Sequence, residues 1–366
     1  MMIVDRQPSA RTIDALFKRA RPNSLNLIRL VLAAAVIVWH SYAVLGLPKP
    51  ETGVRELIGA LPVNGFFAIS GFLIFQSWVR RPSIRDFLVA RIVRIYPAFW
   101  VCLIATAAFF APLATLVQGE NALAQLFSSD ALSYVLKNSS LAMLQWRIGD
   151  SPSGIPFIDS WNASLWTLAW EFLCYLALLG LGLLGMARRK WILPTAFAIS
   201  VLLNVLVALP TDLPEFVERA GRFSIFFFAG ALVAQYSHAI MASWTLVLIS
   251  LVTMIASAWI PVGHLILQAP ATAIGLITLG GLFNPRWAEL KNDISYGIYI
   301  YAFPVQQTLV VLGVMTLDVF SFSLVALLVT VPFAAASWFL VEKPALRLRK
   351  SLGYPTWFRR SNAPIP

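Results

Sequence analysis

The chain has 366 residues, of which 59% are hydrophobic and 12% charged, with a mean hydropathy of +0.75. A soluble domain carries about 25% charged residues, so an ordinary soluble globular protein is excluded, and the length allows one large domain. The formal charge of +11 invites a nucleic-acid reading, which the placement of the charges then removes.

Residues 1–23 are polar and basic and lack the apolar core and cleavage site of a signal peptide. They read as a cytoplasmic N-terminal segment. Roughly 20 consecutive apolar residues cross a bilayer as a helix. On that rule spans fall at 24–47, 60–79, 92–114, 163–185, 191–209, 221–237, 243–260, 265–283, 294–314 and 320–341. Residues 24–341 form the expected transmembrane domain, and 342–366 a basic cytoplasmic tail. The fold expected is an all-α integral membrane protein of about ten transmembrane helices. The longest connection, 115–162, contains "QWRIGDSPSGIPFIDSW" and is expected to form a lid or an acceptor groove, since long loops tend to be functional. Cys102 and Cys174 lie in apolar runs and read as packing residues, with no disulfide and no metal site.

The connecting segments alternate in charge. Arg80, Arg81, Arg85, Arg91, Arg94, the run Arg188-Arg189-Lys190 and both basic termini fall on one side, while the opposite segments are neutral or acidic. Basic loops stay in the cytoplasm. Both termini are therefore expected there, in a multi-pass protein of the inner membrane, and the basicity is an orientation signal. Nucleic acid is not an expected partner.

Two ionisable residues remain within the spans, Arg29 near the cytoplasmic end of the first and Glu171 in the fourth. Such groups are costly in a bilayer and usually functional. In "RLVLAAAVIVWH" Arg29 and His40 bracket ten apolar residues. Eleven residues at about 100° each bring both onto one helix face, about 16 Å apart. Glu171 in "NASLWTLAWEFLCYL" lies about 12 Å below the outer end of its span, a depth comparable with that of His40. Snorkelling or interhelical hydrogen bonds would also accommodate these residues singly, and buried charges mark transport paths as well.

Six segments in order resemble the acyltransferase-3 family of integral-membrane O-acyltransferases acting on cell-surface glycans. They are "SLNLIRLVLAAAVIVWHSY", "VNGFFAISGFLIFQSW", "FLVARIVRIYPAFW", "SLWTLAWEFLCYL", "ISYGIYIYAFPV" and "WFLVEKPALRLRK". Where many members of the family have Asp three residues before the arginine, this chain has Asn26. An appended extracytoplasmic esterase-like domain, found in some relatives, is not expected here.

The resemblance implies a cytoplasmic acyl-CoA, by family default acetyl-CoA, as co-substrate and a glycan or lipid-linked sugar hydroxyl as acceptor. No permanently bound cofactor and no metal are implied. His40 is expected to be either the general base or a transient acyl carrier. Glu171 either orients the imidazole or contacts the acceptor, and Arg29 guides the acyl arm or polarises the thioester. Arg85, Arg91 and Arg94 would hold the phosphates of the donor, with Tyr296 and Tyr299 near it. Asn162, Ser164, Trp166 and Trp170 are the candidate acceptor contacts. Ser70 and Gly71 read as sites of close helix approach, and Glu342 as the partner of a neighbouring arginine. The competing reading is a secondary transporter or flippase of a glycan or small anion.

Overall fold

The computed structural model describes residues 11–18, 23–209, 213–260 and 263–351. Parts of the expected N-terminal segment, and the tail beyond residue 351, lie outside the described residues. Among the described residues the regular structure is helical apart from one two-residue strand pair and an isolated bridge between Ile148 and Ser151. In order come β1 (Arg11–Thr12), α1 (Ile13–Lys18), α2 (Leu25–Val44), α3 (Thr52–Arg80) and α4 (Ile84–Val117). Two short helices follow, α5 (Ala122–Leu126) and α6 (Ser129–Asn138). Then come α7 (Thr167–Leu183), α8 (Ile192–Ala208), α9 (Glu215–Gln235), β2 (Met241–Ala242) and α10 (Trp244–Ser257). The last are α11 (His264–Leu282), α12 (Ser295–Val311) and α13 (Val319–Arg349).

Among the described residues, α2, α3, α4, α11 and α13 are long and apolar enough to cross a membrane. α7, α8 and α10 are apolar but shorter. Each of the ten expected segments coincides with a helix, and side chains such as Leu202, Leu248, Ile249, Val252, Leu324 and Leu328 face outward, as lipid-facing side chains would. Helix starts have ordinary causes: the Ser83, Ser243 and Asp318 side chains accept from the backbone N–H groups of Asp86, Leu246 and Phe320, satisfying orphan donors.

α12 is the central helix, with every residue from Ser295 to Val310 buried. Pro304 sits inside it and lacks the N–H that would bond the Ile300 carbonyl. That carbonyl instead accepts from Asn162 Nδ2 at 2.8 Å and Cys102 Sγ at 3.2 Å. Non-helical satisfaction of this kind is how a membrane helix tolerates proline. The 157–162 segment is fastened to α12 again by Gln307, whose Nε2 donates to the Phe157 and Ser160 carbonyls.

α3 and α9 cross at backbone contact. A Cβ on Gly71 would lie 1.8 Å from the Phe227 oxygen, and one on Gly230 would lie 1.9 Å from the Ala68 oxygen. Each glycine thus receives the other helix's backbone, the close approach that small residues permit in membranes. On the basic side, β1 pairs antiparallel with β2 and Ile13 N–H donates to the Ile240 carbonyl, tying the N-terminal segment to the turn between α9 and α10.

Candidate functional site

The first part of the site is a charge cluster where α2, α4, α12 and α13 meet. Asp293, just before α12, accepts Arg29 Nη1 at 2.5 Å and Arg94 Nη2 at 2.6 Å on one oxygen. Its other oxygen accepts from Ser295 Oγ at 2.5 Å and Ser295 N at 3.2 Å. Arg94 Nη1 reaches Glu342 Oε2 at 2.9 Å, and Glu342 Oε1 accepts from Ser337 at 3.1 Å. Two cations and two carboxylates therefore neutralise one another across four helices. Burial alone would raise the Asp293 pKa, but Arg29, Arg94 and Ser295 outweigh it and pull it down to about 2. Tyr296 belongs to this cluster: its hydroxyl donates to the Ile95 carbonyl and its ring lies 5.6 Å from the Arg94 guanidinium.

Asn26 donates to the Leu290 carbonyl at 3.0 Å. It neither contacts nor replaces the carboxylate for Arg29, which Asp293 supplies from 264 residues away. Glu342 pairs with an arginine, as expected. Arg94 is spent on two carboxylates, so its charge is not open to a donor phosphate in the way the spacing of Arg91 and Arg94 implied. Arg91 is buried, with its guanidinium 5.7 Å from the rings of Phe87 and Tyr175. Arg85 is exposed near the start of α4.

A cavity of about 290 Å³ forms the second part. Its walls are α2 with Trp39 and His40, the start of α3 with Arg55 and Glu56, the turn into α7 with Ser164 and Trp166, Arg222 of α9 and Tyr299 of α12. His40 Nδ1 lies 3.4 Å from Ser164 Oγ, and its ring sits edge-on to Phe303 at 4.9 Å. Ser164 is set by Asn162, whose Oδ1 accepts the Ser164 N–H at 3.2 Å. Tyr299 closes the floor, bonding Thr167 Oγ1 at 2.5 Å and the Ser164 carbonyl at 3.0 Å.

Glu171 is not the partner of His40. It accepts from Ser70 Oγ at 2.8 Å and from the Tyr175 hydroxyl. The chain before α7 is irregular, and His40 meets Ser164 on that irregular stretch, while Glu171 lies four residues inside α7, about 6 Å along the helix. Counting depth from Asn162 put both residues at one level because it assumed the helix began there; it begins at Thr167. Among the acceptor candidates, Ser164 and Trp166 line the cavity. Asn162 is fully buried behind it, and Trp170 packs between Phe216 and Phe223. Segment 115–162 folds beside the cavity, which is lined from residue 163 onward on that side.

The two parts are joined by rings. The Arg29 guanidinium lies 5.8 Å from Phe66, and Phe66 meets Tyr299 of the cavity floor edge-on at 5.8 Å. A charge-balanced cluster below, an aromatic column and a histidine in a cavity above make a layout for a group passed through the protein. Comparison with known proteins decides which group. The acyltransferase domain of the acyltransferase-3 family matches residues 23–341. This chain belongs to that family of integral-membrane O-acyltransferases acting on surface glycans. It is 32% identical over 345 residues to the O-acetyl transferase of Shigella phage Sf6, covering 88% of this chain and 96% of that protein. It is 30% identical over 362 residues to nodulation protein 10 of Rhizobium leguminosarum bv. viciae, covering 90% of this chain and 95% of that one. No solved structure matches. For an acyltransferase, the missed residues are Asp293, whose signal was a lone carboxylate at a span boundary, and the cavity charges Lys49, Arg55, Glu56 and Arg222.

Proposed function

We propose that this multi-pass membrane acyltransferase moves an acetyl group from cytoplasmic acetyl-CoA to a hydroxyl of an exported or lipid-linked glycan held in the outer cavity. Its place would be the inner membrane, with ten spans and both termini cytoplasmic. Contacts on each side support that arrangement. Asn26 with Leu290 and Arg94 with Glu342 join segments expected on the cytoplasmic side; His40 with Ser164 and Gln307 with Ser160 join segments expected on the outer side. The name of the phage relative, O-acetyl transferase, supports acetyl as the group moved.

The observation that carries the reading is His40 beside Ser164 in a cavity that also offers Trp39 and Trp166. Indole faces make a platform for a sugar, and an imidazole beside them can take the proton of a bound hydroxyl. A neutral imidazole has one N–H and one lone pair. With Nδ1–H donated to Ser164 Oγ, Nε2 keeps its lone pair for the acceptor. The sugar oxygen then attacks the thioester carbonyl carbon while Nε2 takes its proton. The C–S bond breaks, and the imidazolium returns the proton to the departing CoA sulfur. A base so placed is typically worth 10²–10⁴ in rate.

On the donor side, Arg85 and Arg91 hold the CoA phosphates. Arg94 and Tyr296 shape the charge cluster, and Arg29, fixed by Asp293, guides the acyl arm along Phe66 toward Tyr299. Glu171 joins Ser70 of α3 to Tyr175, the ring on which Arg91 rests, and so positions Arg91.

The test is transfer of radiolabelled acetyl from acetyl-CoA to cell-envelope glycan in inverted membrane vesicles. Wild type should label glycan and His40→Ala should not. Arg91→Ala should be rescued by raised acetyl-CoA, and Glu171→Gln should resemble Arg91→Ala in raising the donor KM. Equal labelling by wild type and His40→Ala would sink the base assignment and leave His40 a packing residue.

A further inference from the structure

The outer cavity is charged in a way that membrane topology does not explain. Lys49, Arg55 and Arg222 line it against the single carboxylate Glu56, and Glu56 is itself engaged by His264 Nε2 at 3.5 Å. Cations are disfavoured on the side away from the cytoplasm, yet three converge here from three separate elements. Arg222 is not a stray loop residue. α9 begins at Glu215, so Arg222 sits about two turns inside the helix, partly buried, with Nε bonded to Asn64 Oδ1 at 3.4 Å. Lys49 lies 5.6 Å over the Trp39 ring, which brings a cation beside the sugar platform.

A neutral sugar needs indole faces and hydrogen-bonding amides, not a net positive wall. Excess positive charge in a partly enclosed cavity concentrates anions, and the guanidinium fork matches the two oxygens of a carboxylate or a phosphate. Resting on the function proposed above, we infer that the acceptor is an acidic glycan. Its oxyanion group sits between Arg55, Arg222 and Lys49 while a neighbouring hydroxyl faces His40.

The test uses purified protein in lipid nanodiscs, where both faces are open. Three labelled probes are compared by equilibrium dialysis without acetyl-CoA, then as acetyl acceptors with it: an oligogalacturonide, its carboxyl-reduced neutral twin, and an oligosaccharide carrying mannose 6-phosphate. At least one anionic probe should bind tenfold or more tightly than the neutral twin, with the preference shrinking in 0.5 M salt. Whether the carboxylate or the phosphate probe wins identifies the source of the charge. Arg55→Gln and Arg222→Gln should each remove most of that preference and Arg222→Lys should retain it, while the distant surface change Lys137→Gln leaves it intact. Arg55 is exposed, so its variant remains informative if Arg222→Gln folds poorly. Equal binding of neutral and charged probes, or a preference unmoved in Arg55→Gln, overturns the inference. Acetyl transfer without charge preference overturns it while sparing the acetyl-transfer reading; charge-selective binding without transfer to any probe leaves an anion site but overturns its role in holding the acceptor.

Discussion

Asp293 and Arg29 pair at 2.5 Å although 264 residues separate them, so the start of α2 and the start of α12 are held by one carboxylate. That carboxylate also takes Arg94. Removing one member of a buried ionic cluster leaves an uncompensated charge, at a cost of roughly 3–5 kcal/mol. Asp293→Asn should therefore lower stability by about that amount and abolish transfer, since the arginine proposed to guide the arm loses its carboxylate and Arg94 keeps only Glu342. Thermal unfolding of the purified protein in detergent measures the first effect. An unchanged midpoint would mean that the cluster is solvated and the pairing weak.

Asn26 gives a second, less intuitive expectation. Its amide is a donor to the Leu290 carbonyl, so Asn26→Asp would set two acceptors at 3.0 Å. Leaving a partly buried carbonyl unsatisfied costs about 1 kcal/mol, the low end of the range for a buried one. Restoring the carboxylate that many relatives carry should thus destabilise this chain, because Asp293 already serves Arg29. A rise in unfolding midpoint for Asn26→Asp would refute the division of labour between the two residues.

The same cluster sets a pH limit. The Asp293 carboxyl titrates at about 2 in the folded protein against an ordinary value of 3.8. A folded-state value below the unfolded one contributes stability that is complete above the unfolded pKa and is lost as pH falls through the folded one. The difference in midpoint between wild type and Asp293→Asn should be constant from about pH 5 to 8 and shrink between about pH 4 and 2. A gap that narrows near neutrality instead would assign it to another group.

Much of this architecture is written in local sequence. Ten apolar runs became helices, because hydrophobic periodicity is a local fact. What was not legible depends on distant chain. The level of Glu171 turned on where α7 begins, which is decided by Asn162 bonding a carbonyl that Pro304 releases on another helix. The span expected at 221–237 left Arg222 at its first turn, whereas α9 starts at Glu215. The pairing of Arg29 with Asp293 likewise needed the loop before α12 to return to α2, a tertiary event with no sequence period.

The crossing of α3 and α9 predicts a sharp steric penalty. An added methyl at Gly71 or Gly230 would lie within 2 Å of a backbone oxygen, and backbone cannot yield as a flexible side chain can. Gly71→Ala and Gly230→Ala should each prevent stable accumulation in the membrane. Gly180→Ala, where the added methyl meets open space, should be tolerated. Folded-protein yield by fluorescence size exclusion in detergent reads this directly, and normal yield of Gly71→Ala would show that the helices can separate at little cost.

Ser164 is the last test, and it separates a positioning role from packing. Its hydroxyl lies 3.4 Å from His40 Nδ1 and is itself carried on a turn held by Asn162 and Tyr299. Without an acceptor at Nδ1 the imidazole is free to put its proton on Nε2, the nitrogen that must receive one, and to rotate away from the acceptor hydroxyl. Ser164→Ala should lower kcat roughly tenfold, within the range a positioned base supplies, with KM for acetyl-CoA and for acceptor nearly unchanged. His40→Ala should cost more, and the double variant no more than His40→Ala alone, because residues acting as a unit are not additive. Ser164→Thr, which keeps the hydroxyl, should recover most of the rate. If Ser164→Ala raises acceptor KM and leaves kcat alone, the serine binds sugar instead of holding the histidine; additive losses in the double variant would break the pair.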